Sequence, residues 1–147
     1  MAPDPDFPRD RHYERAQHLW ARVDEDSGSV RVGIDTIGLE SLGELAYISL
    51  KEPGARVVRG EPMGTLEAAK MTTPIVAPCS GTVLRRNEVA LRDPLLVNRD
   101  PYDAGWLMDL EPGDWARESA ELVTGDEIDS WVAAEVERLR TESSSEG

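Results

Sequence analysis

Between residues 30 and 110, apolar and polar residues alternate in short runs, and glycine or proline interrupts them every few positions. Period-two alternation places successive side chains on opposite faces of a strand, and runs this short leave no room for long amphipathic helices. Such a region folds as a β-sandwich or barrel. Ser29-Val30-Arg31-Val32-Gly33-Ile34 predicts one strand. Leu45 to Leu50 predicts the clearest, with Ala46, Ile48 and Leu50 on one face and Leu45, Tyr47 and Ser49 on the other. Between them, Asp35 offers an N-cap to a short helical turn carrying Ile37, Leu39 and Leu42, closed by Gly43. Pro53-Gly54 and Arg59-Gly60-Glu61 read as turns around an extended piece, Arg56 to Val58. Thr82 to Arg85, Leu95 to Val97 and Trp106 to Leu110 are later strand candidates.

The two ends have a different character. Residues 1–16, opening on a Pro-rich acidic stretch, read as a flexible leader, and the ordered domain runs from 17 to 140. Asp126 can cap a helix reaching about Arg140, with Ile128, Trp131, Val132, Val136 and Leu139 on one face at spacings of three and four. Ala116 to Val123 suits a shorter helix, and the Ser/Glu-rich residues 141–147 read as a disordered tail.

Composition narrows the function. Against 16 basic residues stand 29 acidic ones, a net charge of −13, which repels nucleic acid phosphates and anionic membranes and suits partners with basic docking faces. No apolar run approaches a membrane span, and the N-terminal stretch has neither a signal peptide's apolar core nor a transit peptide's acid-poor composition. The expectation is a cytoplasmic protein. Cys79 is the only cysteine, which rules out an intramolecular disulfide and any cysteine-cluster zinc site. It reads as a small buried residue, although its place shortly after Lys70 also allows exchange with a dithiol. His12 and His18 have no partners at ligand spacing and read as structural or surface residues, so no metal site is expected.

The chemistry concentrates on Lys70. Met63 to Ala68 and Thr72 to Ala77 read as the arms of a hairpin, with Pro62, Pro74 and Pro78 placing them at free edges or strand ends. Lys70 falls at the tip, flanked by the small residues Ala68 and Ala69, in a chain whose only other lysine is Lys51. A tip lysine supplies an accessible primary amine, which an arginine in its place would not. Once amidated it becomes an uncharged tether, and a tethered group reaches several partner sites at high effective concentration. Glu67 can support the arm or guide the attaching enzyme.

These residues resemble the H protein of the glycine cleavage system, a lipoyl carrier family. The resemblance runs in order from His18-Leu19-Trp20 through Val32-Gly33-Ile34-Asp35, Leu42-Gly43-Glu44, Gly54 and Gly60 to Glu67 and Lys70, the family's Glu-Ser-Val-Lys lipoylation segment. It continues through Pro78, Ser80-Gly81 and Asn87. The most specific part is Pro94-Leu95-Leu96-Val97-Asn98-Arg99-Asp100-Pro101-Tyr102 with Gly105-Trp106. Asn98, Asp100, Pro101 and Tyr102 read as turn builders. The resemblance implies a flattened β-barrel of two antiparallel sheets with lipoate on Lys70, working as a monomer that catalyses nothing itself. It implies an aminomethyl group passed from a pyridoxal-phosphate glycine decarboxylase to a tetrahydrofolate-dependent aminomethyltransferase. A dihydrolipoyl dehydrogenase would reoxidise the arm, and a lipoate-attaching enzyme would install it.

Two alternatives stay open at this level. Glu67-Ala68-Ala69-Lys70-Met71 is similar to the Glu-Ala-Met-Lys-Met segment of biotin carriers of carboxylases, although Ala69 replaces the methionine before the lysine. Met71, Thr72 and Thr73 also depart from the usual H-protein segment, which leaves room for an H-like lipoate carrier of a sulfur-oxidation system.

Overall fold

The computed structural model describes residues 7–146. The strands and helices follow the order β1 (His12–Tyr13), β2 (Leu19–Val23), β3 (Val30–Ile34), α1 (Thr36–Leu42), β4 (Leu45–Leu50), β5 (Arg56–Val57), β6 (Pro62–Ala68), β7 (Thr72–Val76) and β8 (Gly81–Arg86). Then come α2 (Glu88–Arg92), α3 (Leu95–Arg99), β9 (Met108–Pro112), α4 (Trp115–Glu118), one 3-10 turn (Ser119–Glu121) and α5 (Glu127–Glu146). The strands form a six-stranded sheet, β1-β2-β3-β9-β8-β5, and a three-stranded sheet, β4-β6-β7, with every pairing antiparallel. This is a flattened sandwich rather than a closed barrel. Val30, Val32, Ile48, Leu66, Ile75, Val83 and Leu110 from both sheets meet in one core.

The local signals explain much of this. Asp35 caps α1 by accepting from the Gly38 amide, and Gly43 closes it at φ 80°, a left-handed conformation that glycine adopts without penalty. Asn87 caps α2 in the same way through the Ala90 amide. In β4 both Leu45 and Ile48 are buried, so the two-face reading fails at Leu45. A register shift between Leu45 and Tyr47 inserts one residue and moves Leu45 to the inner face.

Other expectations also need correction. Leu95 to Val97 lies in the helix α3, not a strand. Three apolar residues cannot report a period, and Pro94 before them suits a helix start. The last strand begins two residues later than Trp106. The proposed leader contributes buried residues to the body where it is described. Phe7 and Tyr13 are buried, Phe7 lies edge-on to Trp131 at 5.8 Å, and His12–Tyr13 pairs with β2. Residues 1–6 of that leader and Gly147 of the tail lie outside the described residues. α5 continues past Arg140 to Glu146, helped by an Arg138–Glu142 ion pair one turn apart. On α5, Ile128, Trp131 and Val132 are buried as expected, whereas Val136 is exposed, and Glu135 turns toward the body in its stead.

Candidate functional site

Lys70 lies in the turn between β6 and β7, the middle of the three residues that join them, and its side chain is exposed. Inside the turn the Ala68 amide donates to the Met71 carbonyl at 2.9 Å. The next two amides point outward instead. Ala69 donates to the Glu44 carbonyl at 2.9 Å and Lys70 to the Leu42 carbonyl at 3.0 Å. The tip is thus seated on the C-terminal end of α1, where helix carbonyls lack intrahelical partners. Lys70 Nζ donates to the Glu40 carbonyl of the same helix at 3.0 Å. Gly43 makes this fit. A Cβ there would stand 3.3 Å from Ala69 Cβ and 3.5 Å from Lys70 Cγ, on a backbone already at positive φ.

Glu67 is exposed on β6, opposite Tyr47 on one side and Thr72 on the other. Glu67 stands three positions before Lys70 in sequence, and the lysine amine takes the Glu40 backbone carbonyl as its acceptor. Beside the tip a cleft of about 220 Å³ is lined by Leu19, Ile34, Leu42, Leu66, Met71, Thr73, Pro74 and Ile75, with His18 and Arg138 also on its wall. Its apolar lining fits the hydrocarbon stem of an acylated lysine, and Met71 joins its rim directly to the tip. A larger groove, of about 400 Å³, lies elsewhere, around Arg31, Arg85 and Asp109. There the two guanidiniums already hold the buried Asp109 carboxylate at 2.8 and 3.0 Å, and Asp24, Glu25 and Asp26 also line the groove.

The histidines behave structurally. His12 is partly buried against Trp115, and burial lowers its pKa. His18 was legible as a structural residue, but its partners were not. Its Nδ1 meets the Asp35 carboxylate at 3.0 Å and its Nε2 meets Glu135 at 2.7 Å, while the ring stacks on Trp131 at 5.3 Å. Burial disfavours the imidazolium, but Asp35 and Glu135 together outweigh it and raise the His18 pKa. Burial raises that of Asp35 against the pull of His18, and Arg138, with His18, holds Glu135 down. His18 is the one non-glycine residue at positive φ among the described residues, at 58°, a conformation that costs about 1 kcal/mol. Cys79 is fully buried, and burial, reinforced by the nearby Glu118 charge, pushes its thiol up to about 12. Among the described residues no group of three or more His, Cys, Asp or Glu could hold a metal ion, and no helix is long and apolar enough to cross a membrane.

Comparison with known proteins places this geometry. Residues 11–135 match the family model described as glycine cleavage H-protein. The chain is 37% identical over 132 residues to glycine cleavage system H protein 2 of Aquifex aeolicus, covering 90% of this chain and 81% of that one. It is 42% identical over 111 residues to the glycine cleavage system H protein of Mycobacterium avium, covering 76% and 83%. The crystal structure of a glycine cleavage system H protein from Mycobacterium marinum superposes with a TM-score of 0.75 at 34% identity, covering 88% of this chain and 98% of that one. The biotin-carrier likeness, confined to the tip and its flanks, gains no support from a match that spans both sheets and the start of α5. The chain belongs to the glycine cleavage H-protein family.

Proposed function

We propose that this protein is a covalent carrier, with no catalysis of its own, that bears lipoate in amide linkage on Lys70 Nζ. When bound, lipoate supplies a dithiolane able to take up an aminomethyl group at one enzyme and surrender it at another. The chain's own residues do the rest. Lys70 gives up its charge on amidation, and the seated turn holds it clear of the sheet. Leu19, Leu42, Met71 and Ile75 offer the arm an apolar wall that excludes water between visits. Glu67, exposed on the same strand, presents a charge to the attaching enzyme. The partners that fit are a pyridoxal-phosphate glycine decarboxylase, a tetrahydrofolate-dependent aminomethyltransferase and a dihydrolipoyl dehydrogenase, met by a monomer in the cytoplasm.

The observation that carries this reading is the single exposed lysine at the tip of the β6–β7 turn, within a family match covering both sheets. Intact mass of the protein from its native host tests it. A lipoyl increment located on Lys70 is expected, and the bare chain in cells with active ligases would overturn it. Mixing the lipoylated chain with the three partner enzymes should restore glycine cleavage. A lipoylated chain that fails to do so would move the carrier role to another lipoate-dependent system.

A further inference from the structure

We propose that Asn98 is a positioning residue for acylation of Lys70, acting from 28 positions away through the segment that seats the tip. The inference rests on the reading of Lys70 as the attachment site. The two outward amides of the tip, on Ala69 and Lys70, need the Glu44 and Leu42 carbonyls to stand where they do. The Leu42 carbonyl is the last of α1, and the Glu44 carbonyl lies in the short connection from α1 to β4. Its conformation turns on Gly43, which sits at φ 80° and, having no Cβ, has many alternatives.

Asn98 removes those alternatives. Projecting from α3, its Nδ2 donates to the Gly43 carbonyl at 3.1 Å and its Oδ1 accepts from the Leu45 amide at 2.9 Å. The two ends of one side-chain amide therefore grip the residues on either side of Glu44, whose carbonyl holds Ala69. A primary amide is the group that can donate to one and accept from the other at once. The same stretch of chain also steadies the far end of α1, where the Tyr102 hydroxyl accepts from the Thr36 amide at 3.1 Å. Segment 94–102 thus brackets α1, and the lysine tip is seated on the last carbonyls of α1. An asparagine that only built its own local turn would bond within its own loop, whereas both bonds span more than 50 residues.

An attaching enzyme must find the amine in one place. If only a fraction of tips is seated, the apparent affinity of the enzyme for the chain falls by that fraction, and the chemical step on a seated tip is unchanged. Asn98→Ala removes both bonds. Asn98→Asp keeps an acceptor for Leu45 but faces the Gly43 carbonyl with a carboxylate oxygen.

Native-state hydrogen exchange and steady-state lipoylation by a lipoate-attaching enzyme test this together. In the unsubstituted chain the Ala69 and Lys70 amides should be protected. Exchange as fast as in an unbonded loop would overturn the proposal without any variant. In both variants these two amides should exchange nearly as fast as in an unbonded loop, with β8–β9 amides unaltered, and the KM for the protein substrate should rise about tenfold at nearly constant kcat. A uniform rise in exchange over the whole molecule, or a fall in kcat at constant KM, would make Asn98 merely structural and sink the idea. If Asn98→Ala does not fold, Asn98→Asp and the unsubstituted chain still decide it. Intact mass separates the two readings: lipoate found on another residue removes the attachment reading, whereas lipoylation at Lys70 with an unchanged KM removes only the role of Asn98.

Discussion

Two neighbourhoods border the same cleft, and they are built on opposite plans. At the lysine tip the bonds are backbone to backbone, the side chain is exposed, and the one contact of the amine is a helix carbonyl. At the His18 junction the bonds run between side chains, the imidazole is 7% exposed and Asp35 0%, and each ring nitrogen faces a carboxylate. A residue that is to be chemically modified cannot also be a keystone, because its charge and shape must be free to change. On the attachment proposed for Lys70, the tip draws its order from groups that acylation would not touch. The junction concentrates side-chain energy where no chemistry is needed, tying the β1–β2 connection, the start of α1 and the middle of α5 together.

The strongest way to break this contrast is to truncate the junction. His18→Ala strands the buried Asp35 carboxylate and frees Glu135, and should cost about 3–5 kcal/mol in denaturant unfolding. A loss below about 1 kcal/mol would place the two regions on a par. Gly43→Ala should cost less, about 1–3 kcal/mol, because alanine must hold a left-handed φ and press on Ala69. That variant sharpens the comparison, since it disturbs the tip through its seat; lipoylation should slow as well.

Alkaline pH should act more gently than deletion, because only a proton leaves the junction. The folded-state pKa of His18 lies above its unfolded value of 6.5, so its contribution is complete below that value and is lost as pH rises through the folded pKa. The raised pKa of Asp35 acts in the same direction. Thermal melts should therefore fall on the alkaline side, and His18→Gln should flatten that decline. An equal decline in His18→Gln would assign it to other groups. The smallest effect is expected at the tip itself. Lys70→Arg should leave the unfolding free energy within about 0.5 kcal/mol while abolishing acylation, read by denaturation and intact mass. A modified Lys70→Arg chain would refute the site.

The sequence made the tip legible because its signals are local. Small residues around Lys70 and prolines at the arms' ends lie within one short stretch. Caps were legible for the same reason, as Asp35 and Asn87 show. What lies across the chain was not. His18 meets Asp35 from 17 positions away and Glu135 from 117, and no period or spacing announces such a pairing. Asn98 read as a turn builder, but its partners are Gly43 and Leu45. Phe7 was hidden by the prolines around it, although an aromatic side chain can be buried from an irregular segment as well as from a strand. The exposed Val136 fell to a competing demand at the same helical turn, where Glu135 takes the inward place.

The burial of Cys79 has a practical corollary. A thiol reacts as its thiolate, and this one is shut away from solvent with its pKa near 12. The folded polypeptide is therefore silent toward alkylating and disulfide reagents. On a lipoylated chain, any rapid labelling by such a reagent would come from the reduced arm alone. Sulfhydryl titration under native conditions then counts the free thiols of the arm, two on an empty reduced arm and one on a loaded arm, with no mutation of the scaffold required.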